Sequence, residues 1–68
     1  MKHTVLITYD PSDEIYIARV LEFDGCMAHG STQEDAMREL QVAYELWIKD
    51  AEEDGEMVPE PRVDWSMA

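Results

Sequence analysis

Gly25-Cys26-Met27-Ala28-His29-Gly30-Ser31-Thr32-Gln33-Glu34-Asp35-Ala36 opens a run that closes on Gly55-Glu56-Met57-Val58-Pro59-Glu60-Pro61. The apolar stretch from Cys26 to His29 reads as a short strand that Gly30 ends. Ser31 or Thr32 can cap a following helix. Ser31-x-x-Glu34 has capping-box spacing, and Thr32-x-x-Asp35 is the same device with a shorter acid. Glu34 and Asp35 also suit the positive end of a helix dipole. Ala36, Leu40, Ala43, Tyr44, Trp47 and Ala51 then recur at three- and four-residue steps, and Met37 and Ile48 widen that stripe. The pattern predicts one amphipathic helix from Gln33 to Asp54, about 33 Å long at 1.5 Å per residue. Gly55 can adopt the left-handed cap beyond it. Pro59 and Pro61 prevent further helix and favour an extended exit.

Working back from this run, Lys2 to Tyr9 is rich in Thr, Val and Ile and reads as a strand. Asp10-Pro11-Ser12-Asp13 forms a turn, because Pro presets its backbone angle and Asp and Ser can bond nearby main chain. A second strand runs from about Ile15 to Leu21, and Phe23-Asp24-Gly25 turns the chain into the short third one. Alternation puts Val5, Ile7 and Tyr9 with Tyr16, Ala18 and Val20 on the face that should meet the helix stripe. The opposite face carries Leu6, Ile15, Ile17 and Leu21 beside Thr4, Thr8 and Arg19. A solvated back face should be mostly polar, and a contiguous apolar patch marks an interface. Arg62-Val63-Asp64-Trp65-Ser66-Met67 alternates in character and suggests a short fourth strand, with Trp65 anchoring it in the core or between subunits. The expected fold class is α+β: a three-stranded antiparallel meander, one long helix on one face, and a short fourth strand, in a single domain over 1–68.

Composition narrows the function classes. The chain of 68 residues is 46% hydrophobic, with sixteen acidic residues against five basic ones and a net charge of −11. That is too apolar for an acidic disordered tail. A core this small is marginal alone, and Cys26 is the only cysteine, so self-association into a homodimer or homotetramer is the expected remedy. Lys2, Arg19, Arg38, Lys49 and Arg62 are scattered, which argues against direct nucleic-acid binding and against anionic membrane surfaces. No signal-like or membrane-spanning stretch is visible, and the unpaired cysteine fits a reducing cytoplasm.

Reactive chemistry has little support. Asp10, Glu14, Asp24 and Glu34 could ligate metal, but no spacing identifies them as a converging cluster. Cys26 and His29 lie three apart in a strand and so point to opposite faces. His3 and His29 could meet only across paired strands, and two histidines make a weak zinc site. The sequence predicts no catalytic residue, no metal and no cofactor.

Taken in order, the strands with Gly25-Cys26, Gly30-x-Thr32, Ala36, Leu40, Ala43, Trp47-Ile48 and Pro59-x-Pro61 resemble the N-terminal domain of HicB-like antitoxins, over residues 3–63. That family has Pro where this chain has Leu21 and Asp24. The resemblance implies a β-β-β-α-β domain, a partial RNase H-like fold. It also implies a partner: a small, basic, mRNA-cleaving HicA-type toxin whose active site the domain blocks in a type II toxin–antitoxin system. Many family members add a DNA-binding module, and the expectation here is a short form without one. Acidic charge agrees with such a partner, because a toxin that holds RNA presents positive potential. Asp10, Asp13, Glu14, Glu22 and Asp24, around the hairpin ends, are the candidate toxin contacts. Leu6, Ile15, Ile17, Leu21 and Trp65 are the candidate oligomer contacts. The competing readings are an orphan acidic homo-oligomeric scaffold and an acidic-cluster hydrolase.

Overall fold

A computed structural model describes residues 1–61. Strands β1 (Val5–Asp10), β2 (Ile15–Val20) and β3 (Met27–Gly30) form one antiparallel sheet in the order β1-β2-β3, followed by helix α1 (Gln33–Glu53). The α+β meander-plus-helix expected from the sequence is the fold observed. The predicted fourth strand over 62–67, with Trp65, lies outside the described residues.

Register follows the hydrophobic alternation. Val5 faces Val20, Ile7 faces Ala18 and Tyr9 faces Tyr16, so these six side chains share one face. Ala28 continues that face across β3 by pairing with Ala18. Ala18, Val20, Phe23, Cys26, Ala36 and Leu40 form the buried core, and Val5, Ile7, Tyr16, Met37, Tyr44 and Trp47 pack around it. Three of those six core residues are small, Ala18 and Cys26 on the sheet side and Ala36 on the helix, which lets α1 lie close to the sheet. Gly30 marks the closest approach: its backbone sits directly beneath Asp35 and Ala36 in the first helical turn.

Both ends of α1 are fixed by the devices the sequence carries. Of the two candidate caps, Thr32 is the one used: its Oγ1 accepts the Asp35 N–H at 3.0 Å. Ser31 instead donates its hydroxyl to the Asp35 carboxylate at 3.1 Å, and Asp35 also pairs with Arg38 at 3.0 Å. At the other end the Gly55 N–H reaches the Glu52 carbonyl at 3.2 Å and the Glu56 N–H reaches the Ala51 carbonyl at 2.8 Å. With Gly55 at φ 73°, this is a complete Schellman motif.

One packing expectation needs correcting. Alternation along β1 puts Tyr9 under the helix stripe, yet it is 51% exposed. The helix lies over β3 and β2, leaving β1 at the margin of the layer. Tyr9, at the far end of β1, packs on Tyr16 with ring centroids 5.0 Å apart instead of on α1.

Candidate docking surfaces

Among the described residues most acidic side chains gather at two poles set by the topology, with Glu39 and Glu45 midway along α1. The β1–β2 loop and the start of α1 share one pole, because Gly30 pairs with Tyr16 and Tyr16 pairs with Tyr9. The β2–β3 loop and the end of α1 share the other, where the Trp47 indole N–H donates to the Asp24 carbonyl at 2.9 Å.

At the hairpin pole, Asp10 is committed to its own loop. Its Oδ1 accepts the N–H of Ser12 at 2.9 Å and lies 3.4 Å from the N–H of Asp13. Such a bond steadies the turn that Pro11 begins. Asp13 and Glu14 project into solvent. Glu14 holds φ 55°, a left-handed conformation that favours Gly or Asn.

At the exit pole, Glu22 also has a structural task. Its carboxylate accepts the Thr4 N–H at 2.9 and 3.1 Å and the Thr4 hydroxyl at 2.9 Å, closing the open end of the β1–β2 pair. Asp24 is exposed. Beside it, α1 ends in Asp50, Glu52, Glu53 and Asp54 with no basic residue in its last turn. Carboxylates at the negative end of a helix dipole repel it and each other. Asp10, Asp13 and Glu14 therefore sit together, Glu22 and Asp24 sit together, and the length of β2 separates the two groups.

An aromatic stack builds the floor of the exit pole. Phe23 stacks on Trp47 at 4.0 Å and on Tyr44 at 5.5 Å, with His3 tilted against Phe23 at 4.5 Å. His3 is a clasp between chain ends. Its Nε2 lies 2.7 Å from the Pro59 carbonyl, an acceptor only, so Nε2 carries the proton. In the neutral ring Nδ1 then accepts the Tyr44 hydroxyl at 2.8 Å. Burial, with the Glu22 and Cys26 charges, pushes the Tyr44 phenol above its ordinary value, against a lowering backbone bond at Lys2. Burial alone raises the Cys26 thiol. Raised and buried, Cys26 is a core residue and a poor nucleophile.

The back face carries the apolar residues that alternation placed there. Leu6 is 44% exposed, and Ile15, Ile17 and Leu21 are half-buried around it. His3 and His29 do not meet: His3 lies in the aromatic stack, while His29 is exposed on β3 opposite Ile17. Among the described residues no group of three or more His, Cys, Asp or Glu is placed to hold a metal ion. No helix among them is long and apolar enough to cross a membrane.

Sequence reading overlooked Val42 and Leu46. They stand 54% and 55% exposed on the flank of α1 beside β3. Their four-residue spacing, offset by one position from the core stripe, is the signal that could have found them.

Fold and surface together define a small α+β domain, with a helix laid on one face of an antiparallel meander and acidic poles at both ends. A family model described as UPF0150-like matches residues 5–59, and the chain belongs to that family. It is 32% identical over 59 residues to the UPF0150 protein Ta0767 of Thermoplasma acidophilum, covering 87% of this chain and 84% of that one. The UPF0150 protein ssl0259 of Synechocystis is 26% identical over 54 residues, covering 79% and 74%. No solved structure matches the chain.

Proposed function

We propose that this domain is an antitoxin: a cytoplasmic, non-catalytic protein that docks on a small basic HicA-type ribonuclease and occludes its RNA-binding site. The observation that carries this reading is the uncompensated negative end of α1. Asp50, Glu52, Glu53 and Asp54 crowd a helix C-terminus without a base in the last turn, next to exposed Asp24. A chain gains nothing for its own stability from that arrangement. A cationic partner would relieve it and be steered toward it. The HicB-like spacing of Gly30-x-Thr32, Trp47-Ile48 and Pro59-x-Pro61 supports the same partner. Asp13 and Glu14 offer a second negative contact at the hairpin pole, and Glu14 keeps a backbone conformation that glycine would hold with less strain. Self-association belongs to the same reading, with Leu6, Ile15, Ile17 and Leu21, joined by Trp65, as the proposed oligomer contacts.

The test is co-expression with any small basic protein encoded beside this one, followed by a ribonuclease assay. The expected result is a stable complex and suppressed cleavage, weakened by Asp24→Lys with Asp54→Lys more than by Asp13→Lys. Failure of every such neighbour to bind, or binding that leaves RNA cleavage intact, removes the proposal. An acidic homo-oligomeric scaffold would then be the surviving reading.

A further inference from the structure

Among the described residues the three-stranded sheet has two unpaired edges, and the ladder tells what each presents. The Val20 N–H donates to the Cys26 carbonyl at 3.0 Å, so Val20 and Cys26 form a hydrogen-bonded pair. Such pairs alternate along an antiparallel ladder. Ala28 and Gly30 therefore bond back to β2, while the main-chain N–H and C=O of Met27 and His29 point to the outer edge. Above that edge, α1 offers Val42 and Leu46, and Met27 is 50% exposed below them. Between strand and helix runs an open trough of about 660 Å³, floored by Ala28 and Ala43. An unpaired edge beside exposed aliphatic side chains is a pairing surface.

We propose that this edge pairs with the β3 edge of a second copy of the chain. The two sheets then join across a twofold axis into one continuous sheet with both α1 helices on the same face. Ala28 meets Ala28 of the other copy as the close, non-bonded pair, and Met27 of each copy exchanges main-chain bonds with His29 of the other. The small central pair leaves space above it for Val42 and Leu46 of both copies. The surface is self-complementary, as an isologous contact requires.

Charge and chain path select this occupant. Each copy carries −11, so two copies approach only where acids are sparse or neutralised. Along the trough Arg38 pairs with Asp35 and His29 stands near, so Glu39 is the carboxylate of the lining that remains to be screened. Asp13 and Glu14 at one pole, and Asp24, Asp50, Glu52, Glu53 and Asp54 at the other, concentrate the negative charge. A basic partner is drawn to those poles instead. The described chain ends beside the opposite edge, where the Pro59 carbonyl accepts the hydrogen bond of His3, just ahead of β1. The proposal is independent of the antitoxin reading. It also widens the back face twofold, so that stacking through Leu6 and Ile17 would build a tetramer from two such dimers.

Sedimentation of the full chain over a concentration series, with amide exchange by NMR, tests it. The expected result is a reversible dimer whose Met27 and His29 amides slow by about tenfold or more as the dimer fills, while Ile7, on the other edge, is indifferent. In an Ile17→Thr background, which disables stacking through the back face, Leu46→Glu and Val42→Glu should give helical monomers, since both side chains are exposed in the single copy. Ile17→Thr and Trp65→Ala should leave the dimer intact. A monomer at every concentration, a dimer that survives Leu46→Glu in the Ile17→Thr background, or unprotected Met27 and His29 amides in the dimer would each overturn the proposal. Loss of the dimer in Trp65→Ala would overturn it in favour of an exchanged tail.

Discussion

Replacing Gly30 with alanine would set a Cβ 2.5 Å from the Ala36 nitrogen, 2.7 Å from the Asp35 Cβ and 2.8 Å from the Asp35 carbonyl carbon. Two of these are helix backbone atoms, and the third is the root of a side chain held by Ser31 and Arg38. None can swing aside alone, so the first turn must withdraw by roughly 1 Å to restore ordinary contact near 3.5 Å. That withdrawal loosens Ala36 and Leu40, both fully buried, from the sheet. Overpacking against backbone costs about 2–3 kcal/mol. At about 0.05–0.15 kcal/mol per residue, a chain of 68 residues has roughly 3–10 kcal/mol in total. The expected fall in Tm is roughly 10–20 °C. Thermal unfolding followed by far-ultraviolet circular dichroism, at one fixed concentration, measures it. Gly25→Ala is the control: Gly25 has φ 74° but open space around its Cβ position, so only backbone strain of about 1 kcal/mol applies. If Gly30→Ala melts within about 3 °C of the parent, or above Gly25→Ala, the close contact between α1 and β3 does not govern packing and the reasoning fails.

Thr32→Ala removes the acceptor for the Asp35 N–H and should cost about 1 kcal/mol in urea denaturation, whereas Ser31→Ala should cost less, since Ser31 is not the cap. Glu14→Gly relaxes a positive φ and should stabilise the chain by up to about 1 kcal/mol; a destabilised variant would contradict the strain. His3→Ala leaves the Tyr44 hydroxyl and the Pro59 carbonyl without their ring partner and should cost about 1–2 kcal/mol, read as a lower urea midpoint. Alkaline pH should destabilise the fold. Cys26 and Tyr44 are raised above their ordinary 9.0 and 10.0, so the unfolded chain releases those protons first. Their contribution is complete below about pH 9 and is lost as pH climbs toward the folded values, so the urea midpoint should be level from about pH 7 to 8.5 and fall above it. A midpoint that rises between pH 9 and 11 would reverse the sign and refute the burial argument.

What the sequence made legible was whatever repeats along one element. The helix stripe from Ala36 to Ala51, the cap at Thr32 and the turn at Gly55 are local, and the structure keeps them. The register was readable too, because slipping β2 by one residue would have turned Ala18 and Val20 outward and Arg19 inward. Lateral placement was not legible. Nothing in the spacing of Tyr9 says that the helix will sit over β3 and β2, because that depends on the Gly30 approach, a contact between two elements rather than a period within one. Val42 and Leu46 were missed for the same reason, since their role appears only once β3 lies beside them. The five acidic candidates show the limit most clearly. By sequence they form one set around a hairpin. In space Asp10 holds its own turn, Glu22 closes the open end of the β1–β2 pair, and the exposed remainder divides between poles at opposite ends of β2.

That division has a physical consequence for how the domain can assemble. Carboxylates concentrated at two poles leave lower repulsion at the sheet edge of β3, where Arg38 offsets Asp35 and Glu39 remains, and at the back face around Leu6 and Ile17. Screening lengths near 8–10 Å at ordinary ionic strength are shorter than β2, so the poles of one copy act almost independently of its middle. Contacts between copies through the middle, and contacts with a cationic partner through the ends, therefore do not compete for the same charge. The two processes should respond oppositely to salt: added salt screens the repulsion between like-charged copies and favours their association, while it weakens attraction of a basic partner to the exit pole. Measuring both equilibria over one salt series separates them. If self-association weakens with salt as steeply as partner binding does, the copies meet through their acidic ends and the assignment of surfaces is wrong.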